Sequence, residues 1–197
     1  MKLYRFFRGC FRLLFSTIYR WRIIGAENIP AEGAVILCSN HISLLDPPLV
    51  GSGIERQVHF MAKEELFRIP VISYLITQFG AFPVKRGAGD RSAIRNTLKL
   101  LEEGKIFGIF PEGTRSTTGE VGAGLSGASM FALKSDATVI PVGIVGPYKP
   151  FQPITIIYGK PIDLSAQRSV KVDSEVMKET TELIMESIKE LIRPYKS

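Results

Sequence analysis

At 197 residues the chain is long enough for one sizeable α/β core and too short for two full domains. Hydrophobic residues at 45%, charged residues at 22% and a mean hydropathy of +0.14 exclude a disordered chain. A net charge of +6 and a pI near 9.4 favour anionic partners such as phosphate esters, nucleic acid or an anionic membrane face, and charge by itself does not choose among them. The two cysteines, Cys10 and Cys38, stand in apolar settings without metal-ligand spacing. That argues against a disulfide framework or a zinc site and suits a reducing cytosol.

The first predicted element is a helix over 1–22, ahead of a domain over 23–197. Arg5, Arg8 and Arg12 interrupt it too often for a signal peptide or a membrane span. At 100° per residue, Leu3, Phe7, Phe11, Leu14 and Ile18 fall on one side and Lys2, Arg5, Arg8, Arg12 and Arg20 on the other. Such a helix either packs on the protein's own core or lies in a membrane interface, and the density of Phe opposite Arg favours the interface.

Beyond residue 25, short β-branched runs alternate with helical patterns, which predicts a layered α/β fold. Strands are expected over 34–39, 58–62, 80–84, 106–110, 138–145 and 154–158. One helix should start at Asp46-Pro47-Pro48, with Asp46 at or near its N-cap, and a second should span 90–103 and close at Gly104. A third should begin near Ser126. A fourth should span 173–193, with Val176, Leu183, Ile184, Ile188 and Leu191 on its buried face.

Three chemistry-bearing stretches directly follow expected strands: "NHISLLDP" from Asn40, Lys85-Arg86, and "FPEGTRS" from Phe110. In α/β sheets that carboxyl edge is where ligands bind. His41 is the general-base candidate, because imidazole titrates near neutral pH and the other histidine, His59, lies within a strand pattern without a nearby acid. Asp46 is spaced to accept the Nδ1 proton and fix the tautomer. No serine completes a hydrolase pattern, since "GLSGA" at 124–128 lacks the last glycine of the nucleophile elbow, and Cys38 reads as a small core residue. A dyad without a nucleophile suggests that the activated hydroxyl belongs to the substrate. The "EGTR" run offers a guanidinium fork and backbone N–H groups suited to phosphate, without forming a Walker loop. The basic–aromatic run is confined to the N-terminus, which argues against a nucleic-acid-binding domain.

"NHISLLDP", "GAFPVKR", "FPEGTRS" and "VIPVGI" together resemble the four ordered motifs of the glycerolipid acyltransferases, over roughly residues 20–165. The chain is similar to the bacterial 1-acyl-sn-glycerol-3-phosphate acyltransferases among them. The resemblance implies a mixed sheet flanked by helices and transfer of an acyl group from acyl-CoA or acyl carrier protein to lysophosphatidic acid. It requires no cofactor beyond that co-substrate and no metal, and it places the enzyme peripherally on the cytoplasmic face of the membrane. Glycerol-3-phosphate or another lysophospholipid stays open as acceptor. Carried over, His41 is the base and Asp46 its partner. Arg86, Glu112, Gly113, Thr114 and Arg115 bind the acceptor's phosphate and glycerol, and Pro141 shapes the acyl pocket. Leu125-Ser126-Gly127 departs from the basic stretch many members carry there, and Lys85 is expected to compensate.

Overall fold

The computed structural model describes residues 2–85 and 89–195. Its elements run α1 (Lys2–Ile18), β1 (Arg22–Ile24), β2 (Val35–Ser39), α2 (Asp46–Ser52), β3 (Val58–Lys63), α3 (Pro70–Gln78), β4 (Phe82–Val84), α4 (Arg91–Glu102), β5 (Ile106–Ile109), α5 (Gly127–Leu133), β6 (Thr138–Val145), β7 (Thr155–Tyr158), α6 (Ser165–Arg168) and α7 (Ser174–Ile192). The strands form one mixed sheet in the order β1-β7-β6-β2-β5-β3-β4, parallel at every pairing except the antiparallel β6–β7.

β2 is buried along its whole length because both sheet faces are covered, and its near-continuous apolar run meets that demand. Val35 and Leu37 join Phe15 of α1 and Leu49 and Val50 of α2 on one face. Ile36 and Cys38 join Leu101 of α4, Phe131 of α5 and Ile184 and Ile188 of α7 on the other. The two layers follow from the period-2 alternation of a strand. Cys10 is exposed and Cys38 buried, both free thiols.

The six expected strands are present. The 80–84 run is shorter than expected, because Gly80, with φ at 80°, and Ala81 close α3 through bonds to Thr77 O and Ile76 O. Pro83 is tolerated because β4 is an edge strand. Asp90 caps α4 by accepting from the backbone N–H of Ser92 and Ala93, and Gly104 ends it at a φ of 70°. α7 starts behind an equivalent Asp173 cap, but its buried face differs from the expected one. Leu183 is 37% exposed, whereas Thr180 and Thr181 are buried. Their hydroxyls donate to the carbonyls of Val176 and Met177 one turn back, which removes the cost of burying them. The sequence reading did not name β1, α3 or α6, which are short and contain no buried residue.

α1 packs on the core, and its rotation differs from the expected one. The inward line is Tyr4, Arg8, Phe11 and Phe15, so the boundary between the basic and apolar sides faces the protein. Arg8 is only 6% exposed; it donates to the carbonyls of Ile54 and Glu55 and pairs with Glu55 Oε2 at 2.6 Å. Arg12 donates to Ser52 O at 2.8 Å and pairs with Glu55 Oε1 at 2.9 Å. Arg12 thus satisfies a carbonyl at the end of α2, where the helix dipole also favours positive charge, and Arg8 satisfies two carbonyls just past it. The outward face of α1 keeps Arg5 together with Phe6 and Leu13, which are 63% and 66% exposed, and Arg20 is exposed just past the helix end. Among the described residues, no helix is long and apolar enough to cross a membrane.

Candidate active site

β2, β3, β4, β5 and β6 point the same way, so their carboxyl ends share one rim, with β2 between β6 and β5. The chain leaves β2 at Asn40, a buried side chain that donates to Ile144 O at 2.9 Å and accepts from Ile144 N–H at 2.7 Å. This two-point bond fastens the start of the His41 loop to β6. α2 then opens at Asp46, and Pro47 and Pro48 follow at first-turn positions whose N–H groups have no intrahelical partner anyway.

Asp46, expected at or near the N-cap, is the first helical residue, and its carboxylate folds back over the loop that precedes it. Oδ2 accepts from Ile42 N–H at 2.6 Å and Ser43 N–H at 2.7 Å, and lies 2.7 Å from His41 Nδ1. A fully buried carboxylate surrounded by donors is an acceptor, so Nδ1 carries the imidazole proton and Nε2 is left with a free lone pair. That is the tautomer a general base needs.

The loop after β5 holds the histidine in place. The Phe110 ring stacks on the imidazole at 4.0 Å with an 18° tilt, and Phe60 stacks on Phe110 at 5.8 Å. Glu112 Oε1 accepts His41 N–H at 2.9 Å, and Ser116 N–H donates to His41 O at 2.7 Å. Both backbone groups of the base are therefore fixed by the "FPEGTRS" loop. Gly113 adopts a φ of 68° in its turn, and a Cβ there would lie 2.5 Å from Leu125 Cδ1. The positive φ demands glycine, whereas the exposed Leu125 side chain could move aside.

Of the residues expected at the site, His41, Asp46 and Glu112 are in direct contact, with Gly113, Thr114 and Arg115 on the adjoining turn. Thr114 and Arg115 are exposed. Lys85 is exposed at the end of β4, its N–H donating to Asp90, and it stands three strand spacings from β2, on the order of 14 Å. Arg86 lies outside the described residues. Pro141 is buried in mid-strand, in register with Cys38 and packed near Gly159, so it is not brought to the rim. Leu125 is 62% exposed with its N–H bonded to Pro111 O, and Ser126 beside it is exposed. Burial pushes the Cys38 thiol up to about 12, so it is not a nucleophile. Burial holds the His59 pKa below its ordinary 6.5, and no carboxylate bonds to it.

The sequence reading missed three residues of this site. Asn40 and Phe110 stood inside quoted motifs without a role, and Tyr148, whose hydroxyl bonds to Asp46, is far away in sequence.

The acyltransferase family model matches residues 20–145, which span every motif described above. The chain belongs to the acyltransferase family. It is 31% identical to the 1-acyl-sn-glycerol-3-phosphate acyltransferase of Bacillus subtilis (strain 168) over 195 residues, 96% of each chain. It is 33% identical to the enzyme of the same name from Borreliella burgdorferi over 138 residues, 68% of this chain and 55% of that one. The crystal structure of PlsC, the 1-acyl-sn-glycerophosphate (LPA) acyltransferase of Thermotoga maritima, superposes with a TM-score of 0.72. That match has 28% identity and covers all of this chain and 79% of the other.

In this acyltransferase both carboxylate oxygens of Glu112 are occupied by backbone donors, His41 N–H on Oε1 and Gly122 N–H at 3.0 Å on Oε2. Glu112→Gln replaces one acceptor with a donor that faces an N–H, which costs about 1.5–3 kcal/mol for a charge-assisted bond. The expected result is a lower melting temperature and a kcat loss shared by every acceptor. A rise confined to the acceptor KM would instead mark Glu112 as a substrate contact.

Proposed function

We propose that this acyltransferase transfers a fatty acyl group from a thioester donor, acyl-CoA or acyl carrier protein, to the free hydroxyl of 1-acyl-sn-glycerol-3-phosphate, giving phosphatidic acid. The observation that carries this reading is the His41–Asp46 pair, with no protein nucleophile among the described residues bonded to Nε2. His41 takes the proton of the acceptor hydroxyl as its oxygen attacks the thioester carbonyl carbon. The tetrahedral adduct collapses with cleavage of the C–S bond, and the thiolate leaves with the proton returned by the imidazolium. No acyl-enzyme forms. General-base assistance contributes roughly 10²–10⁴-fold, and positioning of the two substrates much of the remainder.

The names of the relatives support lysophosphatidic acid as acceptor. The exposed Arg115 beside the Gly113 turn suits its phosphate, since a guanidinium grips two oxygens at once. Because acceptor and product live in a bilayer, the enzyme works at the cytoplasmic membrane face as a peripheral protein. The outward Phe6 and Leu13, flanked by Arg5 and Arg20, suit contact with an anionic surface.

Product analysis by mass spectrometry tests the assignment, using purified protein, both donors and a panel of lysophospholipid and glycerol-3-phosphate acceptors. Turnover of lysophosphatidic acid alone supports it, and turnover of glycerol-3-phosphate alone overturns it. Arg115→Lys should raise the KM for lysophosphatidic acid about tenfold, with little change in the donor KM, because lysine lacks the planar fork. Equal effects on both KM values would assign Arg115 a structural role.

A further inference from the structure

Three of the donors around Asp46 converge on Oδ2, and the other oxygen is held by a single residue. Tyr148 Oη donates to Oδ1 at 2.6 Å from the segment after β6, 102 positions away in sequence. Asp46 has no exposed surface, so no solvent reaches Oδ1 to replace that donor. The Tyr148 ring is itself held edge-on against Tyr19, with centroids 5.8 Å apart, at the end of α1. Backbone bonds from Phe151 N–H to Ile18 O and from Ile154 N–H to Tyr19 O fasten the same segment to that helix end.

We infer that Tyr148 is a positioning residue for acyl transfer: through Oδ1 it fixes the rotamer of Asp46 against His41 and limits the negative charge that the imidazole meets. The inference rests on His41 acting as the base. Burial, with the Asp46 charge next, holds the Tyr148 hydroxyl far above its ordinary value of 10.0, so the phenol stays a neutral donor throughout the working pH range. Among the described residues, the other ionisable groups facing this cluster are Glu112, which accepts His41 N–H, Tyr19, and Tyr195, which lines the same cleft as Tyr148. A carboxylate with fewer donors keeps more of its charge and stabilises imidazolium more strongly. Losing the hydroxyl therefore favours protonated His41 and removes the base at higher pH than before.

The test is Tyr148→Phe, which keeps the ring against Tyr19. The acid limb of the kcat/KM profile should move up by about half a pH unit or more, and the NMR titration midpoint of His41 should move with it. The chain has only two histidines, so His59 in β3 is the internal reference and should not move. Site-specific 3-fluorotyrosine at position 148 retains ring and hydroxyl but donates more strongly, and should move both readouts down. It also covers the case in which the phenylalanine variant fails to fold. A lower plateau with no shift of limb or midpoint in either variant overturns the inference. The NMR midpoint needs no turnover, so a shifted midpoint in a protein whose His41→Ala variant stays active would overturn the base assignment while leaving the Tyr148 coupling standing.

Discussion

His41→Ala should slow acyl transfer by about 10²-fold or more while the protein stays folded. The side chain is 15% exposed and lies at the rim, so its removal empties little of the core. Its neighbours also stay in place. Asp46 keeps Ile42 N–H, Ser43 N–H and the Tyr148 hydroxyl, and the backbone of residue 41 keeps its bonds to Glu112 and Ser116. What disappears is the one lone pair placed to receive the acceptor's proton. Asp46→Asn should act in the same direction but less severely, because an amide oxygen still accepts from Nδ1 while the compensating charge on the imidazolium is gone. Turnover with saturating donor and acceptor, alongside circular dichroism and a thermal melt, measures both. Near-normal turnover by a folded His41→Ala protein would falsify the dyad mechanism.

A chain beginning at Trp21 should be severely destabilised and lose activity on vesicle-embedded and soluble short-chain acceptors alike. The truncation strips Phe15, 0% exposed, from the cluster with Leu49, Val50 and Tyr158, and Tyr4, 6% exposed, from Gly51 and Phe79. Each buried aromatic contributes about 1.5–3 kcal/mol, against a total stability of about 5–15 kcal/mol for a domain. Those two side chains alone correspond to a fall in Tm of roughly 10 °C for a chain of this size. The truncation also removes Tyr19, which supports Tyr148, so the dyad loosens as well. Membrane contact therefore has to be probed on the outward face. Phe6→Ser with Leu13→Ser should leave the melt nearly unchanged and weaken binding to anionic vesicles. Arg5→Gln with Arg20→Gln should flatten its salt dependence, because the screened electrostatic share is gone. Arg8 and Arg12 are unsuitable for that experiment, since both are bonded at or just past the end of α2. Unchanged vesicle affinity in all these variants, with an unchanged melt, would move the membrane contact to another surface.

Much of the site was legible because its first layer is local. His41 and Asp46 are five residues apart, a reach that a single turn into a proline-led helix closes, and the strands that deliver each motif announce themselves by apolar, β-branched runs. The helix starts at Asp90 and Asp173 and the stop at Gly104 were legible for the same reason, as each acts within a few residues of itself. The misreading concerns partners. Asp46 starts its helix and orients His41 as expected, while the expected buried face of α7 included Leu183 and left out Thr180 and Thr181, whose hydroxyls find acceptors in their own helix.

The sequence by itself determined that this chain is a layered α/β protein with a histidine–aspartate pair and an "EGTR" turn at strand ends, because periodicity, capping and short spacings operate over a few residues. Only the tertiary structure decided that β5 lies next to β2, bringing Glu112 to His41 across 71 positions, and that β6 delivers Tyr148 to Asp46 across 102. It also decided how α1 turns. A helical wheel separates the apolar from the basic side, but which line faces inward depends on the acceptors that the neighbouring surface presents, and here the carbonyls at and just past the end of α2 draw Arg8 and Arg12 toward the protein.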